Sequence, residues 1–139
     1  MKIKIYQNAI DMRDIEGENI DNFARIMFSA LLGNAPSQED FDSYYKQVSE
    51  INVNDEDDLA KANDSEICEY NFHVFNMDNR PDGQLFRSMS VGDVVNIDGR
   101  VYICCSIGFK KVNLSVDSVK QHENMQHYDN GLLNQVLCG

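Results

Sequence analysis

Four cysteines and three histidines are the residues of this chain best suited to nucleophilic or metal chemistry, and their spacing argues against both. Zinc ligands come as paired Cys-x2-Cys or as His at i, i+4. Here Cys68, Cys104, Cys105 and Cys138 are scattered, and His122 and His127 stand five apart, off a common helical face. A cysteine nucleophile needs a base and an orienting group. Cys104 or Cys105 with His73, His122 or His127 is the available pairing, but cysteines inside an apolar strand are usually core filler. Asn54-Asp55-Glu56-Asp57-Asp58 lacks the alternating ligands and mid-loop glycine of a calcium loop. No G-x-S-x-G, P-loop or dinucleotide fingerprint occurs, because Gly92, Gly99 and Gly108 are turn glycines at unsuitable spacing. Ser88 and Ser90 suit loop-backbone bonding better than nucleophilic attack. The expectation is a non-enzymatic protein with no metal and no cofactor.

Carboxylates are the chemistry that remains. The formal net charge is −11, and residues 11–69 hold 16 Asp and Glu against four Lys and Arg, while the rest of the chain holds seven against eight. A field of that sign repels nucleic acid and membrane surfaces and steers towards basic partners. Lys110 and Lys111 make a basic spot too small to bind nucleic acid directly. The acids recur on elements expected to be ordered: Asp11 to Asp21, Glu39, Asp40 and Asp42, and Asp55, Glu56, Asp57 and Asp58. Carboxylates on a rigid surface present charge much as a phosphate backbone does. Residues 55–58 would be the main contacts to a partner, Glu39, Asp40 and Asp42 would flank them, and Tyr44 and Tyr45 would supply aromatic anchoring.

The elements that must position these groups form one domain, 1–139. It reads as an acidic helical part over about 11–75, a β-meander part over about 86–114 and a helical tail over 115–139. The fold class is α+β, a small antiparallel sheet with helices packed on one face. Asp98-Gly99 between Val94–Ile97 and Arg100–Cys104 is the strongest hairpin signal, since both turn positions need positive φ. That register sets Val95 opposite Tyr102 and Ile97 opposite Arg100, with Val94, Val101 and Ile103 on the other side. Gly108-Phe109 turns the chain into a third strand, and Lys2–Tyr6 alternates as a half-buried fourth.

The main helix is expected where Phe23, Ile26, Met27, Ala30 and Leu31 recur, capped by Asp21 and stopped at Gly33-Asn34. A second helix opens at Ser37 and carries Phe41, Tyr44, Tyr45 and Val48 on one stripe. Ile51–Val53 reads as a short strand and 54–62 as a short third helix. Residues 67–75 fit either a helix or a strand. Val116–Gln126 reads as a helix, and Leu132, Leu133, Val136 and Leu137 fall at helical spacing. At 42% hydrophobic and 25% charged the composition is that of a soluble globular domain. No run approaches a membrane span and no signal pattern opens the chain, so a cytoplasmic protein with reduced cysteines is expected.

Several stretches, taken in order, resemble the YodL-like family, small domains found largely in mobile elements of Gram-positive bacteria. They are Met1-Lys2-Ile3-Lys4-Ile5-Tyr6-Gln7, Phe75-Asn76-Met77-Asp78 with the Pro81-Asp82-Gly83 loop, Arg87 to Val95, and Ser106-Ile107-Gly108-Phe109-Lys110-Lys111-Val112. The resemblance implies a helix over 67–75 and a mobile-element setting, and it transfers no catalytic residue. Joined to the charge, it leads to an inhibitor of a host nucleic-acid-binding defence effector, of anti-CRISPR or anti-restriction type, acting by partial DNA mimicry. The alternative is a regulatory or scaffolding accessory domain of a conjugative element. That domain would bind a protein partner through the motif surface at Ser88, Ser90, Asp93, Gly108, Phe109 and Lys110. A small hydrolase using Cys104 and Cys105 is the third class.

Overall fold

A computed structural model describes residues 1–10, 17–83 and 85–131. The expected helix around Leu132–Leu137 and the acids at 11–16 lie outside the described residues. In chain order the elements are β1 (Lys2–Asn8), α1 (Glu18–Leu31), α2 (Gln38–Tyr44), β2 (Tyr45–Asn52), a 3-10 turn (Asp58–Lys61), α3 (Asp64–Val74), β3 (Val94–Ile97), β4 (Arg100–Cys104), β5 (Phe109–Lys111) and β6 (Lys120–Asp129). The six strands form one sheet in the order β5-β4-β3-β1-β2-β6. Every pairing is antiparallel except β2 with β6, which is parallel. The fold is α+β as expected, but the sheet is larger than a meander plus one strand, and it is mixed.

The meander forms in the expected register, with Val95 opposite Tyr102 and Ile97 opposite Arg100. Its turn has Asp98 at φ 48 and Gly99 at φ 93, the double positive φ of a two-residue hairpin loop. Asn96 Oδ1 accepts from Gly99 N, and Asp98 Oδ1 accepts from Lys2 N, which ties the turn to β1.

Helices cover both faces of the sheet, not one. On one face, Ile67, Cys68 and Val74 of α3 pack with Ile3, Ile5, Val95 and Ile97. On the other, Ile26 and Ala30 of α1 and Phe41 of α2 pack with Tyr6, Val94, Val101 and Ile103. Alternation along β1, β3 and β4 sends successive apolar side chains to opposite cores, each buried Ile or Val contributing about 1.5–3 kcal/mol.

α1 starts at Glu18, with Gly17 rather than Asp21 at the N-cap position. It ends as expected. Gly33 N bonds Ala30 O and Asn34 N bonds Ser29 O, with Gly33 at φ 80, which is a Schellman ending. Ser37 caps α2 through Asp40 N, as its position implied. The helix does not run on to Val48, however; it stops at Tyr44, and Tyr45–Asn52 is strand β2 between β1 and β6. A bulge opposite Ile5 and Tyr6 breaks the alternation of β2, which is why Tyr45 and Val48 fall at a helix-like spacing. Residues 54–62 hold only the short 3-10 turn. Residues 67–75 lie largely in α3, opened by a reciprocal capping box between Asn63 and Glu66. The expected helix over Val116–Gln126 is absent: from Lys120 the chain is edge strand β6, whose largely polar side chains leave no periodicity to read.

Candidate functional site

The Arg87–Asp93 motif builds a buried polar hub. Asp93 is fully buried immediately before β3. Its carboxylate accepts from Arg87 Nη2 at 2.6 Å and Nη1 at 3.2 Å, from Ser90 N at 2.9 Å and from Gln7 Nε2 at 3.1 Å. Burial pushes the Asp93 carboxyl above its ordinary value, and the Arg87 guanidinium opposes that shift. Gly92 sits at φ 93 beneath α1, where an added Cβ would stand 3.3 Å from Ala30 Cβ, and its carbonyl accepts from Tyr45 Oη at 2.7 Å. Gly92 N and Cys104 N complete the tie to β4. This motif joins β1, β2, β3, β4 and α1 around one point.

Within the expected partner surface at Ser88–Asp93, the placing of Asp93 is therefore corrected. Asp93 is interior, and Ser88 and Ser90 are half-buried. Gly108 and Lys110 are exposed, whereas half-buried Phe109 packs edge-on against Phe72 at 6.4 Å.

The described acidic groups lie on different elements. Glu39, Asp40 and Asp42 lie on α2, before β2, beside the core that holds Phe41; Asp55, Glu56, Asp57 and Asp58 follow β2, beside the core that holds Leu59. One group precedes the eight-residue strand β2 and the other follows it, a strand length of about 25 Å. Several acids also have partners. Asp40 is bidentate to Arg25, Asp42 accepts from Gln38, Asp57 accepts from Asn54 N, and Asp64 binds Arg100 and Tyr102. The Arg100 hydrogen bonds hold Asp64 below the ordinary carboxylate value. Asp55, Glu56, Asp58 and Glu39 have no ion pair among the described residues. The tyrosines are not surface anchors either: Tyr45 is buried, and Tyr44 is half-buried with its hydroxyl accepting from Asn22.

Burial raises the Cys104 thiol to about 12 and the Cys68 thiol likewise to about 12. Cys105 Sγ faces Ile103 O at 3.6 Å. His127 faces Glu50 and His122 accepts from Asn124 N, and among the described residues no hydrogen bond joins either to a cysteine. Among the described residues no cluster of three His, Cys, Asp or Glu could hold a metal ion, and no helix is long and apolar enough to cross a membrane.

The feature that sequence reasoning missed is the outer face of α1. Phe28 is 67% exposed, Leu31 52% and Leu32 79%, and Ile20 shares their side of the helix one turn beyond half-buried Ala24. Ile26 and Ala30 occupy the opposite, buried side. A helix apolar on both sides wants a partner on each. The signal was present in the sequence, because Phe28 and Leu32 widen the apolar stripe past what one core can cover. Glu39 and Asp40 border this helix across a groove shared with Arg25 and Ser29. At its C-terminal end, Lys110 Nζ donates to Gly33 O at 3.3 Å, which brings the β4–β5 hairpin alongside, with Ile107 94% exposed at the tip.

A cavity of about 490 Å³ lies at the other end of α1, between its inner residues Phe23 and Met27, the end of β1 and the 85–90 loop. No protein-family model, curated protein or solved structure matches this chain.

Proposed function

We propose that this protein is a non-enzymatic binding protein that docks a basic protein partner through the outer face of α1. The observation that carries the reading is the run Phe28, Leu31 and Leu32, large apolar side chains exposed on one side of a helix with a well-formed end. Exposed aliphatic and aromatic clusters with a polar rim are the usual anatomy of a protein interface. The rim carries acids: Asp21 lies on the helix and Glu39 on neighbouring α2, while Arg25 in the shared groove is neutralised by Asp40. A partner that pairs apolar side chains with Lys and Arg fits it. A second copy of the chain does not, because two molecules of net charge −11 repel.

The motif resemblance to mobile-element domains supplies the setting, a host nucleic-acid-binding defence effector of anti-CRISPR or anti-restriction type. Partial DNA mimicry through Asp55, Glu56, Asp57 and Asp58, flanked by Glu39, Asp40 and Asp42, is the competing reading; the outer face of α1 is favoured over it because Asp40 and Asp57 are already engaged by Arg25 and Asn54. A regulatory or scaffolding role in a conjugative element uses the same surface, favoured by the Gly108–Lys110 turn beside the end of α1.

Capture from a lysate of an effector-expressing host, compared across variants, tests the reading. Phe28→Asp with Leu31→Asp weakens binding by about 30-fold or more, the scale of a lost hot spot. Neutralising Asp55, Glu56, Asp57 and Asp58 together leaves it within about threefold, as expected of charges outside the contact. The reverse pattern favours the mimicry reading.

A further inference from the structure

We propose that the cavity between β1, α1 and the 85–90 loop is a binding site for a small molecule with an apolar body and a carboxylate. Its volume of about 490 Å³ falls in the range of roughly 300–1,000 Å³ typical of small-molecule sites. The walls are mainly apolar, contributed by Ile10, Phe23, Met27, Val48, Leu85 and Phe86. In a chain with 23 Asp and Glu, no carboxylate among the described residues lines it.

The polar lining is rich in donors. Arg87 engages Asp93 end-on, through Nη1 and Nη2, so its Nε–H has no partner among the described residues. The other two arginines that hold a carboxylate bidentately use the opposite geometry. Arg25 holds Asp40 through Nε and Nη2 at 3.0 and 2.7 Å, and Arg100 holds Asp64 through Nε and Nη2 at 2.8 and 3.0 Å. Arg87 keeps that side edge for a second carboxylate while Asp93 fixes the guanidinium plane. Ser90 Oγ accepts from Arg87 Nη1 and keeps its own proton to donate. His122 Nδ1 accepts from Asn124 N, so the ring proton sits on Nε2. Donors from three side chains, Arg87, Ser90 and His122, over apolar walls select a carboxylate-bearing molecule, and this site is separate from the outer face of α1.

Amide chemical-shift titration of the full chain with octanoate, octanol and octylammonium tests the proposal. Octanoate is expected to bind saturably, with shifts confined to the lining residues, and octanol and octylammonium to bind at least about tenfold more weakly. Arg87→Lys keeps a cation opposite Asp93 and removes the fork, so octanoate affinity falls about tenfold while octanol is unchanged. Should Arg87→Lys fail to fold, Ser90→Ala is read instead and is expected to weaken octanoate about threefold. Equal binding of octanol and octanoate, unchanged octanoate affinity in the variant read, or shifts mapping to Phe28 and Leu32 overturns the site.

Discussion

Asp93 illustrates how far a residue's role depends on where its carboxylate ends up. The Ser90-Val91-Gly92-Asp93 turn reads from sequence as a surface loop, but its acid is fully enclosed. Asp93→Asn leaves a donor facing a donor in the hub and costs about 1–3 kcal/mol in a denaturant titration. Gly92→Ala meets both the positive φ and Ala30 Cβ, and is expected to lose more than about 1 kcal/mol by the same measurement. Asp64 responds to pH in the opposite sense from Asp93. Its value is lowered by Arg100, so its contribution is complete above the ordinary carboxylate value of 3.8 and is lost as pH falls through the lowered one. The Tm gap between wild type and Asp64→Asn therefore narrows as the pH is taken down through that window. A gap that stays constant with pH would contradict the assignment of Arg100 as the cause.

Legibility in the sequence differs element by element, for physical reasons. The β3–β4 hairpin was readable to the register, because an Asp-Gly turn and β-branched flanks are local signals. The ending of α1 was equally plain in Gly33-Asn34. β2 was hidden by its bulge, which shifts Val48 out of alternation and imitates a helical stripe. β6 carries mostly polar residues at the sheet edge and offers no hydrophobic period; its pairing with β2 is a long-range fact. α3 was ambiguous from its apolar residues alone, although Asn63 and Glu66 formed a capping box that could have decided it. Asn63→Ala removes one arm of that box and is expected to lower stability by about 1 kcal/mol, seen as a reduced denaturation midpoint with an unchanged m-value.

On the scale of the whole molecule, one sheet with helices on both faces separates charges that are close in sequence. Among the described residues, the acids of α2 and those of 55–58 fall before and after β2. What folding gathers instead is an apolar helix face with a carboxylate rim, and a donor-lined cavity beneath the same helix. Neither could be located from composition, because both depend on which side of α1 meets the sheet. The burial of Cys104 was more legible, since it sits in the apolar run of β4.

The docking face on α1 is tested most directly by placing a photo-crosslinking residue at position 28 in one variant and at position 55 in another, then exposing each protein to the effector-containing lysate at low and high salt. The account predicts a monomer in the absence of lysate. With lysate it predicts one basic protein crosslinked from position 28, none from position 55, and a yield that falls as salt rises. A crosslink between two copies of the chain at position 28, or a partner trapped only from position 55, would contradict it.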